Sequence, residues 1–296
     1  MSPFYVFLAV LVPGIWGIQA VMLKFGIGQF PPVFMVGLRF LIMSLILLPF
    51  IGRIKHKLGP ATLIALTQGV AHFALLYIGF KFSDVTSGMI VYQTNTIFTL
   101  LLGAIILGET VSAFGALGTF ICLLGVGLIL GMPQEQTSIS GLLIIATSAF
   151  MFAIGNTVVR KFGPFDPSGL NSYVSLIAFP CLLALSFATE DGQVDALFNA
   201  SWPAWGALLY TALIGGVMAF ILWYRLLSKF SVDKVSPYSL LMPFFSMIGS
   251  ILILNENVTI YNCIGAVMTV FGIAIVQYGP TIAKKWRPQS PVADSI

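Results

Sequence analysis

Charge is what this chain has least of. Asp, Glu, Lys and Arg make up only 8% of its 296 residues, against about 25% in a soluble domain. A water-facing surface cannot be built from so few charges, so lipid must cover much of the molecule. Long polar linkers are missing too, which leaves no room for a soluble domain between the apolar stretches. The net charge of +4 comes with no basic stripe interleaved with aromatics, which argues against nucleic acid as a partner. Cysteine is scarce, with Cys122, Cys181 and Cys263 far apart in apolar stretches. They show no metal-ligand spacing, and an odd count at membrane depth argues against a disulfide framework. No phosphate-binding loop of the Walker type occurs, which argues against direct use of ATP. No metal or cofactor is expected.

The apolar residues that remain, 58% of the chain, fall into long runs. A bilayer span needs about 20 mostly apolar residues, and ten such segments can be marked, at 3–23, 32–51, 60–80, 86–107, 112–131, 140–159, 168–188, 203–224, 235–254 and 258–279. Helix is the expected form, because a lipid-exposed segment must satisfy its own backbone hydrogen bonds. The first segment has neither a basic flank nor a clear small-residue cleavage site, so it reads as a retained helix. With the N-terminus in the cytoplasm, the inner loops collect eleven Lys and Arg and the outer loops only Lys24 and Lys81. That bias sets the orientation and puts both termini inside.

The two halves resemble each other. Around Glu109 the chain reads "LGETVSAFGALGTFICLLGVG", and around Glu256 "LNENVTIYNCIGAVMTVFGIA". One offset aligns Glu109 with Glu256, Gly118 with Gly265 and Gly125 with Gly272. "QAVMLKFG" similarly matches "NTVVRKFG", pairing Gln19 with Asn156. Five helices per half is an odd number, so the copies must sit in opposite orientations. The expected fold is all-α and integral to the membrane: a first repeat over 1–133, an inverted second repeat over 140–280, and a cytoplasmic tail over 281–296. Inverted repeats are a plan of secondary transporters, whose substrate site lies at the repeat interface near the bilayer midplane.

Several short motifs carry a family resemblance. They are a tryptophan-bearing first helix ("VPGIWGIQAVMLKFG"), an Arg-Phe pair in the second ("VGLRFLIMS"), an acidic turn after the fourth ("LGAIILGETVSAFGALG") and its echo "ILILNENVTIYNCIGAVMTVFGI". With ten segments in two halves, the chain resembles the EamA family of the drug/metabolite transporter superfamily over nearly its whole length. The resemblance implies a bacterial inner-membrane exporter of amino acids or related metabolites. A multidrug efflux carrier is the alternative, ahead of a membrane scaffold or an enzyme. Phosphorylated substrates are disfavoured, since only Arg39 lies at membrane depth as a cation.

No acidic residue lies well inside a segment, which weakens both a carboxylate-driven multidrug pump and a metal-ion carrier. The polar groups at depth are neutral. Trp16, Gln19, Gln68, His72, Tyr77, Tyr92, Gln93, Asn95, Asn156, Trp223, Tyr224 and Tyr238 are the candidate cavity lining. Gln68 and His72 are four apart and share a helix face. His72 is the candidate for proton coupling, because imidazole titrates near neutral pH. Arg39 reads either as a structural cation or as the partner of a substrate carboxylate. Pro13, Gly14 and Pro243 are hinge candidates, since a proline inside a helix frees carbonyls. Glu109 and Glu256 are expected to cap the helices they precede. The glycines of the fifth and tenth segments are expected to let two helices approach closely. The expected partners are a small-molecule substrate and the bilayer, with the chain a monomer or a homodimer.

Overall fold

A computed structural model describes residues 2–54, 57–132, 137–230 and 236–286. Among them are ten long helices and no strand. They are α1 (Pro3–Gly26), α2 (Pro32–Leu47, tightening into a 3-10 turn over Leu48–Ile54), α3 (Leu58–Lys81), α4 (Val85–Leu107), α5 (Ala113–Gly131), α6 (Ile139–Phe162), α7 (Pro167–Thr189), α8 (202–229), α9 (a 3-10 turn over Ser236–Leu241 and a helix over Met242–Leu254) and α10 (Ile260–Trp286). A short helix, Gln193–Asn199, joins α7 to α8. Eight of the ten, α1 to α8, are long and apolar enough to cross a membrane by length and composition. The other two carry shorter apolar stretches, Tyr238–Leu254 and Ile260–Val276. α10 runs on past the expected end of its segment at 279, through Trp286.

Local chemistry sets the helix ends. Ser112, Ser138 and Asp166 each accept a hydrogen bond from the backbone N–H three residues on, at 3.0, 3.0 and 2.8 Å, which is the usual N-cap geometry. The capping expected of Glu109 and Glu256 is corrected. Glu109 instead pairs with Arg160 of α6, and Ser112 caps α5. Glu256 caps a different helix, accepting from the backbone N–H groups of Val85 (2.7 Å) and Thr86 (3.3 Å) at the start of α4. Glu190 does the same for α2 through Val33 and Phe34. α4 and α9 end alike: Gly108 (φ 69°) and Asn255 (φ 54°) are left-handed, and the N–H groups of the residues that follow, Glu109 and Glu256, donate back to the carbonyls of Gly103 (3.3 Å) and Ser250 (3.2 Å). Glycine and asparagine tolerate that conformation at least cost.

The packing exchanges partners between the halves. α2 lies on α7, α5 on α10 and α4 on α9, while α1 packs on α8 and α9 as α6 packs on α3 and α4. The α5–α10 contact is backbone to backbone. A Cβ on Gly125 would stand 2.8 Å from the Gly265 carbonyl oxygen, and one on Gly265 would stand 2.9 Å from that of Gly125. Gly118 meets Gly272 in the same way. The lower number of one helix meets the higher of the other, so the two run antiparallel. Large apolar side chains such as Ile105, Phe120, Leu252 and Phe271 point outward, as a lipid-facing surface requires.

Candidate functional site

The polar side chains at depth gather at two helix seams, and each seam contains a stretch of π-helix. In α3 the stretch is Ala65–His72; in α8 it is Tyr210–Met218. The wider turn leaves carbonyls unpaired within the helix, and such turns recur at functional sites. The first stretch holds Gln68 and His72, the polar breaks in an apolar run, while nothing in the apolar pattern marks the second.

The first seam joins α3 to α6. The Gln68 amide donates to Asn156 Oδ1 at 2.8 Å and to the Phe152 carbonyl at 3.0 Å. It lies over Gly155, where a side chain would collide with it. His72, 2% exposed, places Nδ1 2.7 Å from Ser148 Oγ, and that hydroxyl in turn donates to the His72 carbonyl at 3.0 Å. A serine hydroxyl has one proton. With that proton given to the His72 carbonyl, Nδ1–H is the donor toward Ser148. The ring stacks on Tyr92 at 5.6 Å and touches Phe152 and Phe73. Gln93, at the break in α4, is buried, and Asn95 donates to the Tyr92 carbonyl at 2.7 Å.

The second seam joins α1 and α2 to α8. Trp16 Nε1 donates to the Gly215 carbonyl at 3.2 Å, and Gln19 packs on Gly215 itself. Trp16 also meets Trp223 and Phe220 edge to face, each at 5.4 Å. Arg39 Nε donates to the Thr211 carbonyl at 3.1 Å, and its guanidinium lies 4.4 Å from the Phe73 ring centre. Tyr77 is fully buried, with its hydroxyl beside Arg39. Tyr238 packs against the α1–α8 contact farther along, in one apolar cluster with Leu8, Ala9, Leu226 and Trp223. The Tyr224 side chain lies outside the described residues, as does the tail from 287.

Of the hinge candidates, Pro13 is buried within α1, and Gly14 faces the Phe245 ring at 3.7 Å. Pro243 is not mid-helix. It stands in the first turn of the Met242–Leu254 helix, where α9 changes from a 3-10 turn, and proline is tolerated there. α4 breaks in the corresponding region, at Gln93.

The two ends of the bundle differ. At one end Lys24 donates to the carbonyls of Phe80 (2.6 Å) and Ser83 (2.7 Å), closing α1 onto the end of α3. Asp84, 2% exposed, bonds Thr137 and accepts from Ser87 N–H at 2.6 Å, and Asn262 donates to Ser87 Oγ at 2.8 Å. Burial holds the Glu256 carboxyl above the usual carboxylate range; the hydrogen bond from Val85 opposes this, and nearby Asp84 adds to it. At the opposite end a cavity of about 280 Å³ opens among Leu47, Asn171, Val217, Phe220 and Ile221.

Comparison with known proteins agrees with this architecture. A protein from Salmonella typhimurium described as a "Probable amino-acid metabolite efflux pump" is 27% identical over 293 residues, covering 95% of this chain and 97% of its own. A protein of the same description from Escherichia coli is 26% identical over 95% of each chain. "Uncharacterized transporter YoaV" from Bacillus subtilis is 26% identical over 88% of this chain and 91% of its own. A solved structure described only as "Crystal structure of protein" superposes with a TM-score of 0.63 at 15% identity, covering 96% of this chain and 98% of its own. That likeness speaks for the fold alone. The model of the EamA-like transporter family matches twice, over residues 3–131 and 139–278, and the chain belongs to that family of multi-pass membrane transporters.

Proposed function

We propose that this chain is a secondary transporter that exports amino acids or related small polar metabolites across a bacterial inner membrane by alternating access. In this reading ten transmembrane helices form two inverted five-helix repeats with both termini in the cytoplasm. The exchange of partners across the α5–α10 glycine contact supports the inversion, and the excess of Lys and Arg in the inner loops supports the orientation. The observation that carries the reading is the pair of polar seams. Each joins a helix of one half to the π-helical turn of the other half's third helix, so a solute between them would be held by both repeats. Neutral amides, hydroxyls, an imidazole and one guanidinium suit a small polar or zwitterionic solute. The end closed by Lys24, Asp84 and Glu256 would be the periplasmic gate, and the opposite cavity the cytoplasmic entry. The relatives' description as amino-acid metabolite efflux pumps points the same way.

The test is uptake of labelled neutral amino acids into proteoliposomes, with and without a pH gradient, for the wild type and for His72→Ala. Saturable uptake is expected. If the gradient drives it and the variant loses only that response, His72 couples the proton. Flux that rises without saturation in every condition would contradict a carrier.

A further inference from the structure

Arg39 is 1% exposed, seven residues into α2. Among the described residues the ion pairs are Arg53–Asp166 and Arg160–Glu109, and Arg39 belongs to neither. Its Nε has the Thr211 carbonyl, but its Nη1 is buried with no hydrogen-bond partner. The Tyr77 hydroxyl is also buried and makes no well-formed hydrogen bond, and the group it stands beside is the guanidinium. A buried cation with an unpaired donor is costly in a bilayer and calls for a function. A guanidinium fork matches a carboxylate with two parallel hydrogen bonds, and the Tyr77 hydroxyl adds a third donor. Gln19 Oε1 is a third buried, unpartnered atom. It lies at Gly215, one turn along α8 from Thr211, and can accept from an ammonium group.

We infer that Arg39 and Tyr77 form the seat of the carboxylate of the transported solute. This rests on the transporter reading and narrows its substrates to carboxylate-bearing solutes. Buried Met43 separates the seat from the cavity, and the route would run along α2. Arg39, Met43 and Leu47 recur every four residues and so share one face. Leu47 lines the open cavity, about 12 Å from Arg39 at 1.5 Å per residue. Between them Met43 is wedged against Gly216 of α8, where a Cβ would stand 2.6 Å from its sulfur. Methionine is flexible enough to move aside.

The test is competition in proteoliposomes. Uptake of labelled threonine, cysteine and phenylalanine is inhibited by each unlabelled acid or by its carboxamide. In the wild type the carboxamides are expected to compete at least about tenfold more weakly, the factor set by one charged hydrogen bond. Arg39→Gln should abolish that preference. Tyr77→Phe, which keeps the ring and the cation, should reduce it partway. Equal competition by acid and carboxamide in the wild type would overturn the inference while leaving the carrier intact. So would an Arg39→Gln protein that reaches the membrane folded and keeps the preference. If Arg39→Gln does not fold, the wild-type competition and Tyr77→Phe decide. If neither acids nor carboxamides move saturably in the wild type, the transporter reading fails, and the inference with it.

Discussion

At the scale of single residues, Trp16, Gln19, Gln68, His72 and Asn156 are polar groups at depth in the sequence and lie at helix seams in the fold. Gln68 and His72 could be recognised from sequence because each interrupts an apolar run. Their pairing could not, although Asn156 stands out in the same way. Ser148 is a small residue in an ordinary apolar helix, and Asn156 lies 88 positions from Gln68. Lys24, Asp84 and Glu256 read as loop residues, yet they close one end of the bundle together. Glu256→Ala removes two backbone N–H bonds and one from the Thr86 hydroxyl at the start of α4 and should cost about 0.5–2 kcal/mol, the range for a lost cap, measured as a lower unfolding midpoint in detergent. The sign of its pH dependence also follows. A carboxyl whose pKa is raised on folding adds stability fully present below its unfolded pKa and lost as pH rises through the folded one. The unfolding midpoint should therefore fall as pH rises through that window, with Lys24 and Asp84 as the neighbouring charges. Glu256→Gln should flatten that part of the profile.

At the scale of elements, helix positions were legible because runs of about 20 apolar residues have few alternatives. Departures from regular helix were not. The π-helical turn at Tyr210–Met218 carries the same apolar residues as the turns around it, and the one at Ala65–His72 shows its polar residues but not its wider turn. Pro243 is visible in the sequence, but its place at the junction of a 3-10 turn and a helix depends on where α9 begins. The α5–α10 contact was foreshadowed by its glycines, though which glycine meets which is a matter of geometry. Gly125→Leu would drive a side chain into the Gly265 carbonyl. It should cost at least about 1–3 kcal/mol by overpacking, seen as a reduced yield of folded protein. Gly127→Leu on the same helix, with nothing within 4 Å of its would-be Cβ, should leave the yield near wild type. Ser148→Ala takes one hydrogen-bond pair from the α3–α6 seam and should cost about 0.6 kcal/mol, the average for such bonds in membranes.

At the scale of the whole molecule, the two halves share a plan, and the family model matches each of them. The sequence halves align only at scattered positions, such as Glu109 with Glu256. The contacts around those positions have since diverged, one glutamate pairing with an arginine and the other with backbone amides. A carrier built this way must open its two ends in turn, whereas a pore opens both at once. Trans-stimulation separates the two most directly: uptake of a labelled amino acid into proteoliposomes that are empty or preloaded with the same unlabelled amino acid. Alternating access expects preloading to accelerate uptake, because the return of a loaded carrier is then faster than that of an empty one. Uptake that preloading leaves unchanged, and that rises linearly with concentration, would contradict it.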